Sequence, residues 1–502
     1  MLAIRIPGTG RGGRRGSALA LVVLFAFGMS ILAAAIYTLF RINMTSFIYD
    51  RDKMQARYTS EAGANLAMHM ILGGASVPGD TMPEYFMGSQ LVWLDLPGND
   101  LGEVKVVVDP SDANPEITEG NSYEIRSLGK NIGEDNDNYY HGTRAYMMPE
   151  NFARFAAFLS TPNLGGFYGD GYRFDGPFFA NGPICIWSQT GFWSPDEPMF
   201  YSLGLASPHY YYSTGGASNP TSVPHVGGLW IEPYDRMLLG PPYFEMNADP
   251  IEFGPDEVDW QTARNAAMSN GIYFAGGAAP SGTRMIVRGD TLIVKTSQAA
   301  AEQRFCISDY GNPVVWVDNN NTDNLYLKTY PSMVDTNFLT VPLTIGMRGN
   351  LYMAGSFRYA NEDCLDPSNK ILAGFITVYG DILMAHDPET TGGADWAGIW
   401  EVETFVNWQF NGVLMALSGE IRAENYWYPQ PSVDLTILGG YIVVEEGITT
   451  TTMPSGFDWA IHYDTRLMSM HPPFFPSTGK WDLIAWWEDP SMNEHWLDLN
   501  LY

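Results

Sequence analysis

The sequence predicts an α+β protein that is mostly β. A long N-terminal helix, transmembrane in its first half and amphipathic in its second, leads into a β-rich, β-solenoid-like ectodomain. Three observations predict this. An uncharged run extends from Ser17 to Phe40, and a proline-free segment carries it on to Leu72. Beyond residue 160, short β-like runs recur, each joined through a glycine. With 502 residues, of which 45% are hydrophobic, the chain exceeds one ordinary core and has ample material to fold.

Residues 1–16 form a basic leader with Arg5, Arg11, Arg14 and Arg15, and no acid precedes Asp50. As a helix, Ser17–Phe40 spans roughly 36 Å, against a hydrocarbon core of about 30 Å. The arginine excess holds the N-terminus in the cytoplasm and puts the body outside. A secretory signal cut after Ala35 is the competing reading. The run is longer than the usual apolar region of a signal, and the helical pattern continues through residues 44–72. There Met54, Tyr58, Ala62, Leu66 and Met70 recur every four residues, an apolar stripe among Asp, Arg and Glu. Gly73-Gly74 then stops the helix, which occupies residues 17–74 with its transmembrane part at 17–40.

Arg15-Gly16, the long apolar helix and "YTSEAGANLAM" (58–68) together resemble the N-terminus of type IV pilin-like proteins, especially minor pilins of the PilX type. The resemblance implies that a prepilin peptidase cuts after Gly16 and methylates the new N-terminus, Ser17. It also implies a start in the inner membrane, other pilin-like subunits as partners, and a structural role with neither catalysis nor cofactor. Many members carry Glu at the fifth mature position, where this chain has Leu21. K-type pseudopilins, which this departure resembles, also lack the glutamate and sit at the filament tip.

Residues 75–148 read as a small β-rich segment. "EVKVVVD" (103–109) and "SYEIRSLGK" (122–130) are its strands, and 133–142 is an acidic loop. Pro149 and Glu150 suit the start of a short helix over 149–159. In the ectodomain, 149–502, the runs 348–360, 374–385, 412–424 and 435–447 share one shape, with central glycines Gly355, Gly380, Gly419 and Gly439. Stacked rungs with unequal insertions produce this pattern, and 282–297 reads as an earlier rung. An irregular β-sandwich is the alternative. "DGPFFANGPICIWS" (175–188) resembles the DGP-x-H-[ST]-N element of an uncharacterised domain found behind such N-termini in bacterial surface proteins. In it Asp175, Gly176 and Asn181 hold a turn, while Phe179 and Ala180 replace the common His and Ser or Thr. Residues 461–479 resemble that domain's closing motif.

Beyond residue 49 the chain carries 22 basic and 56 acidic residues, a balance of −34 that argues against nucleic acid and anionic lipid as partners of the ectodomain. Cys185, Cys306 and Cys364 allow at most one disulfide. Gly8, Gly10 and Gly13 match G-x-G-x-x-G but follow no strand, so the nucleotide-binding context fails. No Walker loop, G-x-S-x-G elbow or H-E-x-x-H occurs. "DNNNTDN" (318–324) starts like a calcium loop but lacks its glycine and closing glutamate. His462, Asp464 and His471 are near enough in sequence to bind metal, though a satisfied structural role is favoured. The 15 Trp and 28 Tyr leave one rival class: a membrane-anchored protein that binds or cleaves a surface glycan.

Overall fold

The computed structural model describes residues 14–72, 94–95, 102–110, 123–132, 138–161, 173–174 and 176–187, five short strands between 191 and 246, and residues 248–489 with breaks at 322, 330–337, 367, 386–407, 425–432, 447–456 and 469. It is mostly β, with one long apolar helix at its N-terminus, and the chain divides into two compact units.

The first unit holds residues 1–109, 123–147 and 483–502. Helix α1 runs unbroken over Arg14–Leu72. Strands β1 (Leu94–Asp95), β2 (Glu103–Pro110), β3 (Tyr123–Ile132) and β4 (Asn138–Asn151) form a sheet in that order, with Ser477–Asp489 at its far edge. β3 and β4 pair antiparallel from Tyr123↔Met147 to Ile132↔Asn138. The second half of the acidic stretch expected as a loop is therefore paired strand; 133–137 lies outside the described residues.

The second half of α1 docks on this sheet through small residues. Asp52, Ala56, Thr59, Ser60, Gly63, Ala64, Ala67 and Ile71 are buried, spaced as one helical face. The approach is close enough to exclude a side chain on either partner. A Cβ on Gly63 would run into Ser127, Val104 and Val106, and one on Gly129 would strike the backbone of Ala56 and Ser60. The apolar stripe read from the sequence points elsewhere, because Met54, Tyr58 and Leu66 are exposed.

The second unit, 110–122 and 148–482, is built on parallel strands. One series of ladders links Ile272–Phe274, Val314–Val317, Leu343–Met347, Ala373–Thr377, Trp408–Ala423 and Val433–Glu446. The series then continues into Ala157–Leu159, Phe178–Ala180, Ser202–Leu205 and Tyr243–Met246. Strands from the N-terminal part of this unit thus stack beyond those from its C-terminal part. A second series joins Thr283–Arg288, Asn324–Thr329, Asn350–Met353 and Ile382–Met384 to Trp408–Ala423. Register places like on like: Leu325, Leu351, Ile382 and Ile421 follow one another through the core, all essentially buried. On the opposite face Tyr326 stacks on Tyr352 with centroids 4.7 Å apart, and the Asn350 amide donates to Asn324 at 3.1 Å. Helix α2 (Gln261–Asn270) covers one end of the first series, where Trp260 stacks on Trp316 and Gly346 leaves room for the Trp316 ring.

Three local expectations change. The segment 149–159 is no α-helix: Asn151 caps a 3₁₀ turn at Phe152–Arg154, and Ala157–Leu159 is strand. Parallel pairing claims this stretch because Phe158 and its neighbours are more deeply buried in a ladder than on a surface helix. Residues 282–297 are an antiparallel hairpin of which only the first arm, Thr283–Arg288, joins the parallel series. The central glycines are not one column. A Cβ on Gly419 would meet the Gly380 carbonyl and one on Gly380 would meet Gly349, whereas Gly439 lies on Gly412, both at positive φ.

Candidate functional site

The first candidate is α1 itself. It is long and apolar enough to cross a membrane, and its apolar segment is unburied. Leu24, Phe25 and Phe27 are 75%, 68% and 67% exposed. The exposed apolar surface does not stop where docking begins. Phe47, Met54, Tyr58 and Ala62, with Asp50, Arg51, Gln55 and Thr59 between them, line an open groove of about 540 Å³ along α1. On the docked side the Ser60 hydroxyl bonds to the Ser127 carbonyl at 2.8 Å and the Thr143 hydroxyl at 2.7 Å. Outside the groove, Arg57 links Glu61 at 2.7 Å to Glu488 at 2.9 Å. The helix therefore has two faces of different chemistry, one satisfied internally and one not. Gly16 and Ser17 lie in its first turn.

The turn residues of the second unit have separate duties. Asp175 lies outside the described residues. Gly176 packs where a Cβ would enter the Tyr463 ring and Ala156. Asn181 clamps a distant chain: its Nδ2 donates to the Ile251 carbonyl at 2.7 Å and its Oδ1 accepts from the Ile251 N–H at 2.9 Å. Phe179, where the His was absent, stacks on Phe158.

Asp464 of the suspected metal trio is committed elsewhere. It caps the 3₁₀ turn by accepting from the Arg466 N–H at 3.1 Å, and both its oxygens bind the Arg466 guanidinium, at 2.9 and 2.5 Å. The pair is almost wholly buried, and Arg466 also donates to the Asn369 carbonyl at 3.0 Å. Such a bidentate buried pair is worth keeping because removing one partner strands the other's charge. Burial and the nearby Asp464 carboxylate push the Cys364 thiol up to about 12, leaving almost no thiolate at neutral pH. Cys306 and Cys364 are free; the Cys306 thiol donates to Asp290, which raises its pKa. His462 is exposed, and His471 bonds its own neighbour, Pro472. Among the described residues no group of three His, Cys, Asp or Glu is placed to hold a metal ion. In the calcium-like stretch, Asp318 accepts from Arg264 at 2.6 Å and Tyr273 at 2.7 Å. Burial alone would raise its carboxyl; the Arg264 and Tyr273 hydrogen bonds and the charges of Arg264 and Arg348 hold it below the usual value.

The second candidate is a cleft of about 560 Å³ in the second unit. The start of α2, the loop 311–313 and the proline-rich stretch 471–477 converge on it. Its lining is neutral or acidic, with Asp259, Thr262, Asn312, His471, Phe474 and Ser477 and no lysine or arginine. Burial lowers the His471 pKa against the opposing effect of its bond to Pro472, so the ring is neutral at physiological pH.

No family model, no curated protein and no solved structure matches this chain. The sequence had marked α1 but neither the cleft nor the Asp464–Arg466 pair. The D-x-R spacing in "HYDTRL" was the one local signal for the pair, and only the 3₁₀ turn makes it bidentate.

Proposed function

We propose that this protein is a minor, pilin-like structural subunit of a type IV pilus-like or secretion-type filament. In this reading α1 holds the chain in the inner membrane with its N-terminus in the cytoplasm. A prepilin peptidase cuts after Gly16, and the mature chain, beginning at Ser17, passes into a shaft of similar helices. The single observation that carries the reading is the asymmetry of α1: small residues dock its second half to its own sheet, while large apolar residues stay exposed from Leu19 to Tyr58, without a charge among them up to Phe40 and interspersed with charged residues beyond it. An anchor alone needs only the length of the bilayer. An apolar surface that continues along Phe47, Met54 and Tyr58 has a use where neighbouring helices replace lipid. The transfer then costs little, since one apolar surround is exchanged for another.

The body, on this reading, is a solenoid displayed beyond the shaft; in-register parallel ladders with like residues stacked on like support it. Position five of the mature chain supports a single copy over a repeated one. Cleavage leaves a cationic amine in an apolar bundle, which is costly unless paired. Leu21 offers a neighbour no carboxylate, and Asp50 is roughly 44 Å further along the helix. A subunit at the tip has none ahead of it to compensate. Fractionation of sheared filaments tests the proposal: the protein should leave the membrane with the filaments, and its N-terminal peptide should begin at Ser17. Retention in the membrane after complete shearing, or an intact Met1, would overturn it.

A further inference from the structure

We propose that the cleft formed by the start of α2, the 311–313 loop and residues 471–477 is a binding site for a neutral saccharide. The inference is independent of the filament reading. The volume, about 560 Å³, falls in the range of small-ligand sites.

Phe474 is the first indication. Among the described residues it alone, apart from glycines, has a positive φ, at 55°. For a bulky side chain that conformation costs on the order of 1–3 kcal/mol. The strain is not offset by burying the ring, which is 38% exposed. Its neighbours hold it there. Pro473 is buried and accepts from the Thr344 hydroxyl at 2.5 Å, while Phe475 packs where Gly374 has no side chain. A held segment thus places an exposed aromatic side chain in the lining of the cleft, in a conformation that costs energy.

The polar groups are the second indication, because what they have left to offer is almost all acceptor. The Pro472 carbonyl can only accept, so His471 Nδ1 carries the proton and Nε2 is a lone-pair acceptor with no partner among the described residues. The Asn312 amide nitrogen donates to the Ala266 carbonyl at 3.0 Å and the Ser269 hydroxyl at 3.3 Å, which fixes its orientation and leaves Oδ1 to accept. The Thr262 hydroxyl donates to Asp259 at 2.6 Å, and that carboxylate keeps further lone pairs. Asn151 is spent on both sides, toward Ala153 and Phe475, and is wall.

A ligand here must bring several hydrogen-bond donors and no negative charge. It must also offer an apolar, electropositive C–H face to the electron-rich face of Phe474. A sugar ring meets all three conditions: hydroxyl donors around its edge and C–H groups on its faces. A sulfated or uronate-bearing glycan would face Asp259 with no cation to offset it. A lysine-rich peptide would satisfy the acceptors but not the aromatic platform.

The test uses the full chain in detergent on an array of neutral and anionic glycans, with a lysine-rich peptide as a further probe. Retention of neutral glycans is expected, with affinity falling about tenfold in Phe474→Gly, the order an aromatic contact is worth. Glycine accepts the positive φ, so this variant keeps the backbone, and a melting temperature that does not fall verifies it. His471→Ala is the second variant and should weaken the same glycans. Four results would overturn the proposal: no neutral glycan retained, anionic glycans alone retained, the peptide alone retained, or neutral binding unchanged in either variant.

Discussion

Arg466 and Asp464 show how much a single buried charge can govern. Replacing Arg466 with Met keeps the volume but leaves the Asp464 carboxylate, 1% exposed as a residue, without its counter-ion. We expect a loss of about 3–5 kcal/mol, read as a lower urea midpoint of the full chain in detergent; a change below about 1 kcal/mol would contradict the pairing. His471 makes a pH-dependent contribution of determinable sign. Its folded pKa lies below the ordinary 6.5, so above that pH both states are neutral and it contributes nothing. As pH falls below 6.5 the unfolded chain takes up a proton that the folded chain refuses, and stability declines until the folded pKa is passed. Asp318, with its pKa held below 3.8, acts later: its contribution is present above that value and is lost in stronger acid. Urea melts at about pH 7 and pH 5 should therefore differ, and His471→Asn should shrink the difference.

At the scale of the element, α1 is the decisive case. Between Asp52 and Ile71 its docked face is made of Ala, Ser, Thr and Gly, so the contact there depends on closeness, not on large side chains. Gly63→Val forces the helix off Val104 and Ser127 and should cost about 1–3 kcal/mol. Hydrogen exchange of the 52–71 amides in the full chain reads this directly, and unchanged protection would refute the packing. The undocked half makes an opposite demand. Phe27→Arg puts a charge near the middle of the apolar run, at about 2.5–3.5 kcal/mol on insertion scales. Membrane recovery should fall sharply, and wild-type surface display of the mutant would count against a shaft role.

At the scale of the whole molecule, the proposed function makes a statement about number. A chain that cannot pair its neighbour's N-terminal amine at Leu21 is expected once per filament or nearly so. Quantitative mass spectrometry of purified filaments should find it far below the major subunit, and comparable abundance would sink the tip assignment. Leu21→Glu is the converse experiment: restoring the carboxylate should permit incorporation along the shaft and raise the ratio. Neither outcome depends on the cleft, whose saccharide binding is read on the isolated chain.

The apolar half of α1 was legible because a membrane span imposes its requirement residue by residue, and every side chain from Ser17 to Phe40 is uncharged. Strands β2 and β3 and the runs around residues 350, 380, 415 and 440 were legible for a similar reason, since alternation and β-branched content are local properties. Which face of α1 docks was not legible. Periodicity of large apolar residues selected Met54, Tyr58 and Leu66, whereas contact with the sheet selects residues small enough to let backbones approach, and only a partner surface makes that choice. Nor does sequence contain the order of the parallel stack, in which Tyr441–Val443 pairs with Ala157–Leu159 from nearly three hundred residues earlier. Ladder energy depends on which strand lies alongside, and loop closure penalises distance along the chain only weakly. The cleft is a consequence of that same arrangement: His471, Asn312 and Asp259 have no relation in sequence and acquire one only when three separate segments converge.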